Sequence, residues 1–395
     1  MPTATVDIDF SKISHPDREP ILGFGGAFTE ASALNFMSLN SAGRSAVIEL
    51  LFGKDGLGYS VGRVHMNSCD FSVQSYSFDN IDGDFDLEHF DSDVTHDVTT
   101  GMTRMILEAD AIIRSDWRSD HGMRILVSPW SPPAWMKQSL ESETTEHSET
   151  MTGSAYPTCI RDGVGPESAY AKAWAKYFGK FITACEYWYY HFFPTVFEWI
   201  TYGFSLSTDK KLGIEIFAVT IQNEPEFAAP WEACAYDPPT EASFITHHLG
   251  PLLNDMFPDI KILIFDHNKD HVVNWGSYIA NETNPASKYV DGTAIHWYAG
   301  GMDRLLDGAV GQGNMHRYME VLKEMNVKKD HIVLGSEGCH CPSTGYAGGD
   351  INVAWSRAER YAHTVLADLA AGSNGFIEWN LILDAIGGPN HLGNL

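Results

Sequence analysis

The sequence has 395 residues, a length that fits one large α/β barrel or two ordinary domains. Its apolar content of 44% is typical of a globular protein with a sizeable core. The formal net charge of −26 argues against nucleic acid and against anionic membrane surfaces as partners, since both need patches of Lys and Arg. That charge fits a neutral substrate or an acidic working environment, and equally a merely soluble acidic surface.

Short apolar runs alternate with helical patterns eight times along the chain. The runs that predict strands cover residues 21–25, 59–66, 123–128, 215–221, 261–265, 292–296, 332–336 and 375–379. Helical patterns lie between them, for instance over residues 103–117, 170–184, 244–256 and 358–371. Repeated strand–helix alternation predicts a parallel sheet with right-handed crossovers. Eight such units at this length favour a (β/α)8 TIM barrel over an open doubly wound sheet.

Two stretches interrupt this alternation. Residues 79–97 are strongly acidic, and we interpret them as a solvated loop. Residues 186–208 are crowded with aromatic side chains, yet they are too short and too polar for a confident membrane span. Three interpretations of this second stretch stay open: an insertion packed on the outside of the barrel, a surface patch for lipid or a partner, or sequence foreign to the fold.

Cysteine usage does not predict a disulfide framework, because six cysteines are few for a chain of this length. Cys339, His340 and Cys341 stand together, but no second Cys/His pair follows at zinc-site spacing, so we predict buried thiols and no metal. Residues 1–20 are polar and charged, unlike a secretory signal. A glycosylation sequon occupies residues 281–283, although this motif is short and often unused.

Two glutamates are the most informative residues of the chain. Glu224 follows the fourth predicted strand, and Glu337 follows the seventh. Both strands are continuous apolar runs, as expected for strands buried on both faces. We therefore expect the two carboxylates to emerge at the carboxyl edge of the barrel, where such enzymes keep their chemistry. Two carboxylates at that edge are the minimum equipment for cleaving a glycosidic bond.

Polar and aromatic residues follow nearly all of the predicted strands. They are Arg63, His65, Asn67, Asp70, Trp130, Trp135, Asn223, Asp266, His267, His296, Trp297, Tyr298, Trp379 and Asn380. Aromatic faces can stack on the apolar C–H face of a pyranose, and carboxylates and amides can bind its hydroxyls. A single Trp at a strand end is more often core packing, so the recurrence of these residues is what predicts a carbohydrate site.

At these residues the sequence resembles glycoside hydrolase family 30, the glucosylceramidase-like enzymes, and within it the animal-type acid β-glucosidases. The matching motifs run in order to the C-terminus. They are Gly23-Phe24-Gly25-Gly26-Ala27-Phe28-Thr29-Glu30-Ala31, Ser68-Cys69-Asp70-Phe71-Ser72, Ser128-Pro129-Trp130-Ser131-Pro132-Pro133-Ala134-Trp135, Gln222-Asn223-Glu224-Pro225, His296-Trp297-Tyr298, Ser336-Glu337-Gly338-Cys339, Glu378-Trp379-Asn380-Leu381 and Gly387-Gly388-Pro389-Asn390.

The resemblance implies a retaining hydrolase in which Glu224 is the acid/base and Glu337 the nucleophile, with carboxyl groups roughly 5–5.5 Å apart. It also implies substrate-binding roles for other residues, and no cofactor or metal. Asn223 would hydrogen-bond the sugar 2-hydroxyl, and His296 and Tyr298 would orient Glu337. The remaining glucose hydroxyls would be held by Asp70, Trp130, Trp379 and Asn390.

The implied substrate is glucosylceramide or another β-glucoside, with no nucleic-acid partner. Peripheral membrane contact and an activator protein are further partners that the resemblance suggests. The implied location is lysosomal or secreted, although no signal peptide is present in this chain.

The sequence departs from the family pattern in two respects. Residues 1–395 are interpreted as one catalytic domain, a fragment without the family's β-sandwich and last barrel helix. In family members a short turn precedes the fourth strand, and residues 210–213 would supply that turn directly after Cys185. This favours the interpretation of residues 186–208 as foreign sequence.

Two alternatives to a glucosylceramidase stay open. One is another glycosidase of the same family, a β-1,6-glucanase or a β-xylosidase. The other is an inactive sugar-binding fragment, against which the presence of both glutamates argues, because a pure lectin needs neither an acid nor a nucleophile.

Overall fold

The structure, a computed structural model, describes residues 20–115, 121–140, 148–155, 158–187, 213–298, 310–328, 330–340 and 351–391. Within them, parallel strands close into a barrel in sequence order. The strands are β1 (Gly23–Ala27), β2 (Val61–Met66), β3 (Arg124–Pro129), β4 (Glu215–Thr220), β5 (Lys261–Asn268), β6 (Gly292–His296), β7 (Ile332–Glu337) and β8 (Gly375–Glu378). This closed eight-stranded barrel confirms the predicted (β/α)8 fold.

Helices surround the barrel in the order that the alternating pattern predicts. They are α1 (Glu30–Ser38), α2 (Ser41–Phe52), α3 (Thr95–Thr100), α4 (Met102–Ser115), α5 (Ala169–Tyr187), α6 (Pro238–Phe244), α7 (Gly250–Met256), α8 (Val272–Ile279), α9 (Val310–Glu324) and α10 (Ile351–Ala371). Short 3-10 helices cover Ala134–Met136 and Pro285–Tyr289.

The barrel closes where β1 pairs with β8 on one side and with β2 on the other. Gly25 of β1 faces Val61 of β2, and a Cβ atom at Gly25 would lie 1.5 Å from the Val61 carbonyl oxygen. Only glycine permits that approach, which explains the glycine-rich first strand.

The interior of the barrel is filled in two layers. The lower layer is apolar and consists of Val61, Leu126, Ala218, Leu263, Ala294, Ile332, Leu334 and Ile377. Side chains two positions further along a strand point to the same face. That spacing places buried polar residues directly above the apolar layer, at the carboxyl edge: Arg63, Ser128, Thr220, His296 and Ser336.

A second hydrophobic layer lies between the strands and the helices. Helix α4 is an example, because its buried residues recur at three- and four-residue spacing and form one face: Met102, Met105, Ile106, Ala109 and Ile113. Thr29 caps helix α1, because its side-chain oxygen accepts a hydrogen bond from the Ser32 amide. The cap fixes the direction in which the chain leaves β1.

The helix predicted over residues 244–256 is longer than expected and is interrupted. Helix α6 begins at Pro238, with Asp237 as its cap, and a π-helical turn at Ile245–Leu249 joins it to α7. Pro251 has no N–H to donate to the preceding turn, which accounts for the irregularity at this point.

The interpretation of residues 79–97 as a solvated loop is wrong in part. Leu87, Phe90 and Val94 of this segment are buried in the core, and the Asp79 side chain is 2% exposed. The acidic side chains between them face solvent, whereas the apolar residues cover α5, where Phe90 packs edge-on against Tyr177 at 4.9 Å. The acidic composition of the segment predicted solvent exposure for all of it, although a few spaced apolar residues are buried.

Helix α5 extends through residue 187, so it includes the first two residues of the aromatic segment 186–208. The rest of that segment lies outside the described residues, and its three interpretations stay predictions. Among the helices that the structure describes, none has the length and apolar character needed to span a bilayer.

Candidate active site

Glu337 and Glu224 both lie at the carboxyl edge of the barrel. Glu337 is the last residue of β7, and Glu224 follows β4 by four residues. Backbone hydrogen bonds continue the sheet beyond β4, from the Asn223 amide to the Pro129 carbonyl (2.8 Å) and from the Glu224 amide to the Asp266 carbonyl (3.0 Å). Glu224 has a φ of 47°, a left-handed conformation that is strained for a residue with a side chain. The neighbouring strands hold that conformation.

The imidazole of His296 lies between the two carboxylates. Its Nδ1 is 3.5 Å from Glu224 Oε1, and its Nε2 is 3.9 Å from Glu337 Oε2. The same Nε2 is 3.0 Å from Asp266 Oδ1. One ring therefore contacts both glutamates, which brings them to a single site.

Each oxygen of Glu337 accepts a hydrogen bond. The Tyr298 hydroxyl donates to Oε1 at 2.9 Å, and Arg63 Nη1 donates to Oε2. The guanidinium is fully buried, and its Nη2 donates to Asn223 Oδ1 at 2.8 Å. Both bonds to Glu337 favour its ionised form, because a carboxyl proton would have to displace a donor.

Asp266 ties the polar layer of the barrel together. Its Oδ2 accepts hydrogen bonds from Arg63 (2.8 Å) and Thr220 (2.7 Å), and its Oδ1 accepts one from Ser336 at 2.6 Å. Burial alone would raise the pKa of this carboxyl, but Arg63 and His296 hold it well below its usual range. The sequence placed Asp266 at a strand end without assigning it a role.

The charges of the site shift the pKa of its central imidazole. Burial alone would lower the pKa of His296, but the neighbouring carboxylates, Glu337 first among them, raise it to about 9. His296 is therefore a cation at neutral pH, and it compensates part of the negative charge that the carboxylates bring into the site.

The two glutamates respond differently to this cation. Burial alone would raise the pKa of Glu224, but the hydrogen bond and the charge of His296 lower it below its usual value. Burial raises the pKa of Glu337, against the opposing charges of His296 and Arg63. The negative charge of Glu224 adds to the raised pKa of Glu337, so a proton on Glu224 favours ionisation of Glu337.

Two tryptophans form an aromatic wall beside these charges. The rings of Trp130 and Trp379 are stacked with centroids 5.2 Å apart. The Arg63 guanidinium lies over both rings, 4.7 Å from the centroid of Trp130 and 5.6 Å from that of Trp379. This cation–π contact holds the wall beside Glu337.

Two of the predicted sugar-binding residues have buried oxygens without a hydrogen-bond partner among the described residues, Asp70 Oδ1 and Asn390 Oδ1. Burial raises the pKa of Asp70 well above its usual value, and the charges of Glu337 and Glu224 add to that effect. A buried acceptor without a donor costs free energy, on the order of 1–3 kcal/mol. Both oxygens are therefore suited to accept hydrogen bonds from ligand hydroxyls.

Other strand-end aromatics lie outside the site. Trp135 packs beneath residues 79–97 and donates its indole N–H to the Asp79 carbonyl at 3.2 Å. Trp297 points away from the barrel interior and packs against Tyr361 of α10, with ring centroids 4.3 Å apart. Successive strand residues face opposite sides, so a neighbour of His296 has to point outward.

A disulfide that the cysteine usage did not predict joins two loops above the barrel. Cys159 follows β3 and Cys234 follows β4, and the two are bonded across 75 residues. Nearby, the buried Lys137 donates to three backbone carbonyls, those of Met151, Gly153 and Ala233. The disulfide and the lysine together hold these loops in place beside the site.

Metal-binding potential in the described residues is confined to the site itself. Glu224, His267 and His296 bring one potential ligand atom each to within 4.8 Å of one another. Cys339 and His340 make other contacts: the Tyr298 hydroxyl lies 3.5 Å from Cys339 Sγ, and His340 Nε2 lies 3.0 Å from the Arg357 carbonyl. Cys341 lies outside the described residues.

Comparison with known proteins identifies the relatives of this chain. The model of the glycosyl hydrolase family 30 TIM-barrel domain matches residues 21–395. "Putative glucosylceramidase 4" of Caenorhabditis elegans is 32% identical over 381 residues, which cover 94% of this chain and 61% of the relative. Lysosomal acid glucosylceramidase of Mus musculus is 27% identical over 383 residues, covering 95% of this chain and 62% of the relative.

Related proteins also carry other names. Endo-1,6-beta-D-glucanase neg1 of Aspergillus fumigatus is 26% identical over 394 residues, covering 98% of this chain and 66% of the relative. Among solved structures, SrfJ from Salmonella typhimurium superposes with a TM-score of 0.72 at 26% identity, over 96% of this chain and 69% of that one. The chain spans about three fifths of the length of the glucosylceramidases that it matches.

Proposed function

Because this chain belongs to glycosyl hydrolase family 30, and is thereby a glycosidase, we propose that it is a retaining β-glucosidase that hydrolyses glucosylceramide to glucose and ceramide. One observation carries the proposal: two carboxylates meet at one buried imidazole, and they differ in their hydrogen bonds. Glu337 is held by two donors, and Glu224 faces histidines.

In the first step, Glu224 gives its proton to the glycosidic oxygen while ionised Glu337 attacks the anomeric carbon. The bond to the leaving alcohol breaks, and a covalent glycosyl–Glu337 ester forms. The hydrogen bonds from Tyr298 and Arg63 orient Glu337 for this attack and favour its ionised form against the effect of burial. His296 lowers the pKa of Glu224, so the protonated form that this step needs is more abundant at acidic pH.

In the second step, Glu224 acts as a base. Esterification removes the negative charge of Glu337. Without that neighbouring charge the pKa of Glu224 falls, and its ionised form is favoured. Ionised Glu224 then takes a proton from water, and the resulting hydroxide attacks the anomeric carbon and releases glucose and Glu337. His296, positively charged beside both glutamates, stabilises the ionised form of each in turn.

The unpartnered polar atoms and the aromatic wall support glucose as the sugar. The stacked pair Trp130 and Trp379 forms an apolar wall of the site, with 2% and 4% of the two residues exposed, so a sugar could meet only a small part of the rings. Asp70 and Asn390 supply oxygens that need donors, and Asn223 completes the predicted set beside Glu224. The proposal of ceramide as the leaving group is supported by the names of two relatives, the nematode and the mouse proteins.

We further propose that the chain works in a secretory or lysosomal compartment. The Cys159–Cys234 disulfide supports this, because disulfides persist where the environment is oxidising. Contact with a membrane surface and with an activator protein would follow from a lipid substrate held in a bilayer. A mildly acidic compartment would also favour protonated Glu224.

Labelling of the nucleophile tests the proposed function. The purified full chain is incubated with a gluco-configured, mechanism-based inactivator, and the intact mass and the peptide map are recorded. We expect one adduct, on Glu337, and no adduct in the Glu337→Gln variant. A chain that melts cooperatively but takes no adduct would contradict the proposal, and an adduct on a different residue would contradict the assignment of the nucleophile.

A second candidate is a β-1,6-glucanase, which the Aspergillus relative favours. Hydrolysis of glucosylceramide dispersed with detergent and of β-1,6-linked glucan, measured side by side, separates the two substrates. Faster formation of new reducing ends from the glucan than of glucose from glucosylceramide would replace the first proposal by the second. A sugar-binding protein without catalysis would bind glucosides and release no product from either substrate.

A further inference from the structure

Three side chains at the acid/base converge on a small volume. Glu224 Oε1 lies 3.5 Å from His296 Nδ1 and 3.9 Å from His267 Nδ1. All three ligand atoms lie within 4.8 Å of one another. His267 is the residue after Asp266 on β5, and none of the roles described above uses it.

Both imidazoles turn a buried nitrogen toward this volume. His267 Nδ1 has no hydrogen-bond partner among the described residues, and His296 Nδ1 faces Glu224 Oε1 at 3.5 Å, the outer limit of a hydrogen bond. The two residues are 8% and 1% exposed. Buried polar atoms of native proteins are normally well paired, so one unpartnered nitrogen and one weakly partnered nitrogen, both facing the same carboxylate oxygen, point to a missing electrophile.

The opposite nitrogen of each ring faces a carboxylate. His296 Nε2 lies 3.0 Å from Asp266 Oδ1, and His267 Nε2 lies 4.0 Å from Glu226 Oε2. Histidines that bind a metal commonly donate their second ring N–H to a carboxylate, which fixes the tautomer and raises the basicity of the free nitrogen. His296 therefore has an outer-shell partner at hydrogen-bond distance, and Glu226 would have to move closer to serve His267 in the same way.

The ligand set and its spacing suit a transition metal. Two imidazole nitrogens and one carboxylate oxygen are the protein ligands of many zinc sites, which keep a fourth position open. Bond lengths near 2.1 Å and tetrahedral angles need ligand atoms about 3.4 Å apart. Glu224 Oε1 lies 3.5 and 3.9 Å from the two imidazole nitrogens, and the ligand atoms of the two histidines lie within 4.8 Å of each other, so side-chain rotations that draw the rings together would complete the site.

We propose that Glu224, His267 and His296 bind one divalent transition-metal ion of the Zn²⁺ class, and that the bound ion switches the glycosidase off. The ion displaces the Nδ1 proton of His296 to solvent and takes the Glu224 oxygen that would otherwise carry the catalytic proton. The proposed metal binding does not depend on the proposed function, whereas the proposed inhibition rests on the acid/base role of Glu224.

Direct titration tests the site without relying on activity. The full chain, stripped of metal with EDTA and dialysed, is titrated with Zn²⁺ by calorimetry and with Co²⁺ by visible absorption. We expect one ion per chain and the intense d–d bands of low-coordinate Co²⁺, which Zn²⁺ then displaces. Absence of both signals from a cooperatively folded chain would overturn the proposal.

His267→Asn tests the ligand that is specific to this inference. We expect its Zn²⁺ affinity to fall at least about tenfold, because even outer-shell losses have effects of that size. His89→Asn is the matched control, since the His89 side chain is 62% exposed and pairs with Asp84, outside the ligand cluster and its partners. Equal affinity of His267→Asn and wild type would overturn the proposal, and so would a comparable loss in His89→Asn.

Glu224→Gln gives a second, isosteric variant in case His267→Asn does not fold. It keeps the side-chain shape and removes the anionic ligand, so its Zn²⁺ affinity should also fall about tenfold or more. Unchanged affinity would exclude Glu224 as a ligand and overturn the site as proposed.

Measurements of glucoside hydrolysis separate the proposed metal switch from the proposed glucosidase activity. Glucoside hydrolysis by the wild type should be lost on adding Zn²⁺ and return with EDTA, and His267→Asn should need at least about tenfold more Zn²⁺ for the same loss. Inhibition equal in both proteins would overturn the switch. A chain that binds Zn²⁺ at this site but is inactive when metal-free would refute the proposed glucosidase and leave the metal site standing.

Discussion

At the scale of single residues, the two glutamates of the site differ in what surrounds them. Glu337 accepts hydrogen bonds from the Tyr298 hydroxyl and the Arg63 guanidinium, both of which stabilise a negative charge. Glu224 lies 3.5 and 3.9 Å from two imidazole nitrogens. Hydrogen bonds therefore fix the orientation of Glu337, and the described residues give Glu224 no comparably close donor.

This difference predicts unlike consequences for two isosteric substitutions. Glu337→Gln should lower kcat on the order of a thousandfold or more for every substrate, because no covalent intermediate can form. Glu224→Gln should be severe for glucosides with poor leaving groups and mild for those whose leaving group needs no proton. Rates with a series of aryl glucosides check this, and thermal melting shows whether each variant remains folded. Equal losses across the series for Glu224→Gln would contradict the acid/base role.

His296 sets the pH dependence that follows from its charge. Since the hydrogen bond and the charge of His296 lower the pKa of Glu224, His296→Gln should raise that pKa. The alkaline limb of kcat/KM, where the acid loses its proton, should then move to higher pH, while the rate itself falls. A pH–rate profile of both proteins measures this shift. An alkaline limb that stays in place or moves to lower pH would show that another group sets it.

Sequence reasoning at this scale located the glutamates but assigned no role to Asp266, which ties the polar layer together. Glu224 and Glu337 stand at the ends of apolar runs, which is a readable signal. Asp266 could not be placed in the same way, because strand alternation from Leu263 predicts that Phe265 points inward. A bulge in β5 between Phe265 and His267, with both Phe265 and Asp266 at positive φ, turns Asp266 inward instead.

At the scale of elements, the loops that follow β3 and β4 are held by a disulfide and by hydrogen bonds. The Cys159–Cys234 disulfide closes a long loop between them, and the Lys137 ammonium bonds three carbonyls in the same region. Both loops continue into strand ends that carry site residues, Trp130 and Glu224. Their fixed position therefore supports the geometry of the site.

Removing the disulfide should destabilise the protein. The double variant Cys159→Ala/Cys234→Ala is expected to lose about 2–4 kcal/mol of unfolding free energy, because the unfolded chain regains the freedom of the opened loop. Urea unfolding with and without reductant measures the loss. Reductant should lower the wild-type midpoint and leave the double variant unchanged. A wild type indifferent to reductant, in which mass spectrometry shows that both cysteines are reduced, would contradict the bond.

Elements were predicted well where periodicity is strong and poorly where it is weak. The predicted strand over residues 292–296 coincides with β6, and all the other predicted strands overlap observed ones. Residues 79–97 were misread because composition describes an average, and spaced apolar anchors such as Phe90 are lost in it. The disulfide was beyond prediction, since pairing depends on which loops the closed barrel brings together.

At the scale of the whole molecule, buried acids couple stability to pH. Burial raises the pKa of Asp97 to about 7 and that of Glu241 to about 8. In the unfolded chain both groups ionise near pH 4. The folded protein therefore keeps protons that the unfolded chain loses between about pH 4 and 8, and its stability falls as the pH rises through that range. Buried His65, with a pKa lowered to about 4, opposes this trend below about pH 6.

Asp97→Asn should remove one part of this dependence. The neutral amide cannot ionise, so relative to wild type the variant should gain on the order of 3 kcal/mol in unfolding free energy between pH 4 and pH 8. Denaturant unfolding at both pH values measures the gain. Asp86→Asn, at a side chain that is 80% exposed, is the control for loss of surface charge. A constant difference between Asp97→Asn and wild type across the range would contradict burial of an un-ionised Asp97.

The position of Arg63 has a consequence for how the molecule reaches its active form. Its guanidinium bonds residues carried by four other strands or their extensions, Ser128, Asn223, Asp266 and Glu337. A partly assembled barrel would leave this cation buried without its anions, which is strongly unfavourable. The site therefore cannot form ahead of the fold. During refolding, catalytic activity should therefore return together with the final closure of the barrel. Activity would then report the last step of folding.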